Sequence, residues 1–231
     1  MLTATDLHYS YGAVKALNGV SLSALPGEIT CVMGRNGVGK TTLMRTLMGT
    51  YRMGAGSVRL GERDLSRLPA HRRATAGMAL VPQGREIFAK LTVDENLRIG
   101  LEARSDGVRR VPDEVFELFP ILKTFLKRMG GDLSGGQQQQ LAIARALVGG
   151  PKVLLLDEPT EGIQPNIIQQ IGVVLRKLVS ERGMAVVLVE QFLDFVKEFG
   201  HRFSIINRGT VVATGSTSEL HADLVSQHLS V

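Results

Sequence analysis

The octet Gly34-Arg35-Asn36-Gly37-Val38-Gly39-Lys40-Thr41 has the spacing G-x-x-x-x-G-K-[ST]. Glycines at those positions let successive backbone N–H groups turn toward one centre, which suits the oxygens of a phosphate chain. A helix beginning directly after the loop adds the positive end of its dipole. Lys40 is then placed to reach β- and γ-phosphates, and Thr41, followed by Thr42, to hold Mg²⁺ through a hydroxyl. The same letters also occur as a plain Gly-rich turn, so context decides. The apolar run Ile29–Met33 reads as a strand before the octet, and TLMRTLMG reads as an apolar-periodic helix ending at Gly49.

A second group of candidates is acidic. Val153 to Leu156 form a continuous apolar run that ends in Asp157-Glu158. Alone, this is a buried parallel strand with a polar end. Beside a phosphate loop, Asp157 gains a role in supporting magnesium, directly or through water. Glu158 is expected to point the other way, since strand side chains alternate, and could act as general base toward a water. A third group, Leu133-Ser134-Gly135-Gly136-Gln137, precedes the apolar-periodic stretch QQLAIARAL. It reads as an exposed helix N-terminus with a hydroxyl and free N–H groups, suited to an anion, and by itself as no more than a helix cap.

The elements that must hold these groups follow from patterning. The stretch up to about residue 60 reads as strands around one loop and one helix, with SLSALPGEITCVM a strand, a Pro-Gly turn and a strand. Thr92 and Glu95 form a capping box that opens a helix, and VPDEVFELFPILKTFLKRM alternates helical patches with turns. About 86–148 therefore reads as a helical subdomain inserted in an α/β core. Strand–helix alternation resumes after Pro151, with a helix from Pro165 to Arg182 and a strand at MAVVLVE. This βαβ rhythm implies a mainly parallel sheet covered by helices. FSIINRG and TVVATG read as a closing hairpin, and SEL to the end as a last helix. Phe192, Phe195, Val196 and Phe199 lie at helical spacing and are expected to face the core.

Bulk composition is consistent with one domain. The 231 residues are 44% hydrophobic, enough for a single large α/β domain over 1–231 with an inserted subdomain. Cys31 stands alone, so no internal disulfide forms, and its apolar surroundings predict a buried thiol. The net charge of +5 favours anionic ligands or a lipid surface, but no basic block interleaves with aromatics, which argues against nucleic acid. MLTATDLHYSYG does not resemble a signal peptide, and no apolar run approaches a membrane-spanning length of about 18 residues. A soluble protein that docks on membrane-embedded partners is expected.

The order of these motifs along the chain, GRNGVGKTT, LSGGQ and KVLLLDEPT, resembles ATP-binding subunits of ABC transporters over essentially its whole length. The resemblance implies a phosphate-loop ABC-type ATPase domain with N-terminal antiparallel strands, using ATP and Mg²⁺. It implies two such domains closed head to tail, so that Ser134, Gly135, Gly136 and Gln137 act on the partner's ATP. Tyr11 matches the aromatic that stacks on adenine, though it also reads as a core or turn tyrosine. Gln83 in LVPQG matches the glutamine that contacts magnesium and senses the membrane subunit, though it also reads as a Pro-Gln turn. The implied partners are membrane permeases, a second ATPase subunit that is a related but distinct chain (a homodimer is possible in isolation) and, indirectly, an extracytoplasmic solute-binding protein. The implied place is the cytoplasmic side of the inner membrane, as a peripheral subunit.

Three positions depart from the family pattern. Gln140 stands where a basic residue is usual, Glu161-Gly162-Ile163-Gln164 replaces Ser-Ala-Leu-Asp, and Gln191 replaces the switch histidine. A glutamine amide still donates to a phosphate oxygen but cannot become cationic, a loss of about 1 kcal/mol that would slow hydrolysis several-fold without abolishing it. Gln191 is also seen in the branch that serves branched-chain amino acid and urea importers. QQQQ at 137–140 and EGIQP at 161–165 resemble the urea subunit most, so urea is the expected solute, with branched-chain amino acids the alternative.

Overall fold

A computed structural model describes residues 1–221; the end of the expected C-terminal helix lies outside the described residues, and within them Thr217–Glu219 make one 3₁₀ turn. The strands are β1 (Leu2–Tyr11), β2 (Val14–Ala24), β3 (Ile29–Met33), β4 (Ala55–Leu60), β5 (Arg63–Asp64), β6 (Met78–Val81), β7 (Val153–Asp157), β8 (Ala185–Val189), β9 (Arg202–Asn207) and β10 (Thr210–Ser216). The helices are α1 (Lys40–Met48), α2 (Ala70–Thr75), α3 (Val93–Ile99), α4 (Asp113–Leu118), α5 (Pro120–Thr124), α6 (Gly135–Val148), α7 (Pro165–Arg182) and α8 (Leu193–Phe199).

Two sheets form. A four-stranded antiparallel sheet runs β2-β1-β4-β5, and a six-stranded sheet runs β10-β9-β3-β8-β7-β6. In the larger sheet β9, β3, β8, β7 and β6 pair in parallel, and β10 closes the edge antiparallel to β9. The Pro-Gly turn after β2 thus joins two different sheets. Helices α3 to α6 lie between β6 and β7 in the chain.

Strand alternation divides the interior. Ile29, Cys31, Met33, Leu154, Leu156, Val186 and Leu188 pack on the core that includes α6, α7 and α8. Val32, Val153, Leu155, Val187 and Val189 pack on the other face with α1 and the antiparallel sheet. Every residue of β3, β7 and β8 is buried, as parallel strands covered on both faces require. Both faces being closed, chemistry is left to the carboxyl ends of these strands.

The apolar stripe of α8 is shorter than its spacing implies. Phe195, Val196 and Phe199 are buried, but Phe192 precedes the helix at its N-cap and is 48% exposed. The loop from β8 has not yet turned into the helix there, so helical spacing does not apply to it.

Candidate functional site

Beyond the carboxyl ends of β3, β7 and β8 lies a cleft of about 920 Å³. It gathers Tyr11, Asn36 to Thr42, Gln83, Glu158 and Gln191 from segments far apart in the chain. Ser134, Gly135, Gly136 and Gln137 are not among its lining residues. They sit at the start of α6, where Ser134 Oγ accepts from the Gln137 backbone N–H (3.4 Å) and Gln137 Oε1 accepts from the Ser134 N–H (3.0 Å).

The loop from Gly34 to Gly39 is shaped by two close approaches. A Cβ on Gly34, at φ 148°, would lie 2.3 Å from the Ile206 carbonyl oxygen, and one on Gly39, at φ 110°, 2.5 Å from that of Ala16. No side chain fits at either point. Lys40 opens α1 and folds back, donating from Nζ to the carbonyls of Gly34 (2.8 Å) and Arg35 (2.9 Å). Burial lowers its pKa, and the nearby Glu158 carboxylate opposes that shift. Lys15 and Arg208 add cationic side chains to the rim, which suits a polyanion.

Glu158 is the centre of the polar network. Its Oε1 accepts from Gln191 Nε2 (2.6 Å) and lies 3.6 Å from Lys40 Nζ, and its Oε2 accepts from Gln83 Nε2 (3.0 Å). Gln83 Nε2 also reaches Glu161 Oε2 (3.0 Å), and Gln191 Nε2 reaches Asn36 Oδ1 (2.8 Å). Strand alternation is not what aims Glu158. The strand ends at Asp157, and Glu158 sits in the left-handed region at φ 48°, with its N–H bound to the Val189 carbonyl at 3.0 Å. A non-glycine residue there is strained by about 1 kcal/mol, and the surrounding bonds hold it.

Asp157 shares the α1-facing side of β7 with Leu155 and is buried at 3% exposure. Burial raises its pKa, and the Thr41 hydroxyl beside it opposes the rise. Its Oδ1 is buried without a hydrogen-bond partner. An orphan anionic oxygen next to a hydroxyl suits a hard cation with oxygen ligands. Among the described residues no three His, Cys, Asp or Glu cluster to hold a metal by themselves, so waters and ligand oxygens would complete such a site. Thr41 and Asp157 therefore fit a Mg²⁺ ion, while Gln83 lines the same cleft with its amide nitrogen on Glu158 and Glu161.

Tyr11 is 48% exposed and lines the cleft. Its hydroxyl pairs with Thr42 Oγ1 at 3.2 Å, and its ring stands edge-on to Tyr9 and Tyr51. The half-exposed ring keeps open apolar area in the cleft that a planar ring could cover. Sequence reasoning assigned no role to Thr160, Arg208 or Glu190. For Glu190 there was a signal: an acid directly after the all-apolar β8 that the structure keeps buried at 2% exposure.

Residues 17–161 match the ABC transporter family. The high-affinity branched-chain amino acid transport ATP-binding protein BraG of Pseudomonas aeruginosa is 41% identical, over 92% of this chain and 91% of that protein. The probable branched-chain amino acid transport ATP-binding protein LivF of Archaeoglobus fulgidus is 35% identical, over 95% and 94%. The lipopolysaccharide export system ATP-binding protein LptB of Haemophilus influenzae is 36% identical, over 96% and 93%. A solved dimeric ATP-binding cassette in a post-hydrolysis state with ADP and phosphate is 26% identical with a TM-score of 0.84, over 94% of this chain and 99% of that one. A nucleotide-free cassette from an ABC transporter superimposes with a TM-score of 0.83 at 26% identity, over 100% and 95%. Motifs, cleft and relatives agree: the chain belongs to the ABC transporter family, as an ATP-hydrolysing subunit with the ATP-binding cassette fold.

Proposed function

We propose that this chain energises an importer of branched-chain amino acids by hydrolysing ATP, with Glu158 as the general base. The observation that carries the catalytic part is the single carboxylate joined to Lys40, Gln83 and Gln191 at the cleft. In this reading the N–H groups from Gly34 to Thr42 cradle the phosphates, Lys40 meets the β- and γ-phosphates, and Tyr11 stacks on adenine. Gln191 donates to the γ-phosphate and sets the water against Glu158. Thr41, Gln83 and Asp157 hold Mg²⁺, which when bound offsets phosphate charge. Ser134, Gly135, Gly136 and Gln137, which do not line this cleft, serve the nucleotide of a second subunit. Membrane permeases, that second ATPase and a solute-binding protein complete the transporter, with this chain on the cytoplasmic face. Among the described residues no helix is long and apolar enough to cross a membrane.

The solute assignment rests on BraG and LivF, both named for branched-chain amino acids. The expectation of urea rests only on QQQQ and EGIQP, and no relative compared above is named for urea. LptB, named for an export system, is 36% identical, level with LivF at 35%, so BraG at 41% tips the balance. Uptake of labelled leucine and labelled urea by cells lacking this chain decides the point. Loss of leucine uptake is expected. Loss of urea uptake alone would move the solute to urea and leave the ATPase reading intact.

A further inference from the structure

We propose that Glu190 is a positioning residue for hydrolysis, a buried carboxylate that locks the loop carrying Gln191 to the loop that follows Glu158. The proposal rests on the reading of Glu158 as base and Gln191 as its neighbour at the γ-phosphate.

Each oxygen of Glu190 serves one loop. Oε1 accepts from the Thr160 backbone N–H (3.2 Å) and from Thr160 Oγ1 (2.7 Å). Oε2 accepts from the backbone N–H groups of Gln191 (3.0 Å) and Phe192 (3.3 Å). Its own N–H binds the Val32 carbonyl of β3 at 3.2 Å, one residue before that strand's end and the phosphate loop. One residue therefore ties together the ends of β3, β7 and β8. All four donors are neutral dipoles; the Lys40 ammonium attracts this charge only through space, and burial raises its pKa. A buried ion held this way is a poor source of stability compared with an apolar side chain. What four fixed acceptor contacts do supply is geometry.

That geometry is needed next door. Gln191 Nε2 bridges Asn36 Oδ1 and Glu158 Oε1 in bonds of 2.8 and 2.6 Å. A misplacement on the order of 1 Å in a reacting constellation lowers rates about 100-fold. An amide at position 190 keeps one acceptor and turns a donor toward either the Thr160 N–H or the two N–H groups of Gln191 and Phe192. One loop must then move.

The test is a double-mutant cycle in the assembled transporter, reading kcat and KM for ATP, with binding of a fluorescent ATP analogue to the full chain. E190Q is expected to lower kcat about 10-fold or more, with KM and analogue affinity within about 2-fold of wild type. E190D, which keeps both acceptor oxygens, is expected to restore most of kcat. E190Q added to Q191A is expected to cost nothing beyond Q191A alone. The proposal is overturned if the two losses multiply, if E190Q leaves kcat unchanged, or if KM rises as kcat falls. If E190Q does not fold, E190D decides: a folded E190D with kcat below about a tenth of wild type overturns the proposal, and near-wild-type kcat supports it. E158Q in the same assay keeps the underlying reading separate, because a kcat within about 5-fold of wild type in that variant removes the base assignment whatever the cycle between 190 and 191 shows.

Discussion

Replacing Glu158 by Gln tests the site most directly. The carboxylate is 13% exposed, and its two oxygens meet Gln191 Nε2, Lys40 Nζ and Gln83 Nε2. An amide can keep its oxygen toward Gln191 and Lys40, which leaves its nitrogen facing the Gln83 amide nitrogen. Rotating the Gln83 amide relieves that clash but turns an oxygen toward Glu161 Oε2, so one hydrogen bond is lost, about 1 kcal/mol. Lys40 retains both carbonyl partners, so the fold survives and the change in Tm is a few degrees.

The chemical cost is larger. A positioned general base contributes about 10²- to 10⁴-fold, or roughly 3 to 5 kcal/mol of barrier. The kcat of E158Q should fall by that factor. Binding should not weaken, because removing a negative charge from a cleft that takes a triphosphate reduces repulsion. Steady-state hydrolysis over a range of ATP concentrations separates the two, with analogue binding as the control. A kcat within about 5-fold of wild type would refute the role of base. An unchanged kcat with a raised KM would make Glu158 a binding group instead.

Gln191→His should keep or raise kcat a few-fold, since an imidazole can add the charge-assisted bond that an amide lacks; a kcat that rises as pH falls toward about 6.5 is its signature, and a 10-fold loss would mean that the amide geometry itself is required. Gly34→Ala should destabilise the loop far more than Gly37→Ala: the first places a Cβ 2.3 Å from the Ile206 carbonyl, whereas the second, at φ 78°, meets no atom within 4 Å. The second should cost about 1 to 2 kcal/mol by melting, and equal Tm losses would refute the packing argument. Cys31 is fully buried and its thiol pKa is pushed far up by burial, so a thiol reagent at pH 8 should label it only as the protein unfolds; fast labelling of the native chain would contradict the placement of β3 in the core.

The parts of this site readable from sequence are those whose physics is local. The phosphate loop is one continuous segment between a strand and a helix, and the Pro165–Arg182 helix is bounded by an N-terminal Pro and a left-handed Gly183, so both were legible as they stand. The short β5, α2 and β6 carried too little periodicity to be read, although β6 delivers Gln83 to the cleft. Alternation accounts for Asp157, on the same face of β7 as Leu155, but not for Glu158, because the chain leaves the strand between them.

Glu190 shows the deeper limit. Its neighbours in sequence explain only half of its surroundings, the N–H groups of Gln191 and Phe192. The other half, Thr160, lies 30 positions earlier and arrives through the parallel pairing of β7 with β8, which brings Asp157 level with Val189. That register is set by the burial of both strands on both faces, a property of the whole sheet. A carboxylate that closes such a register is invisible as a motif, because no fixed spacing encodes it. Yet the same pairing that hides it in the sequence makes it the residue through which the two catalytic loops share one geometry.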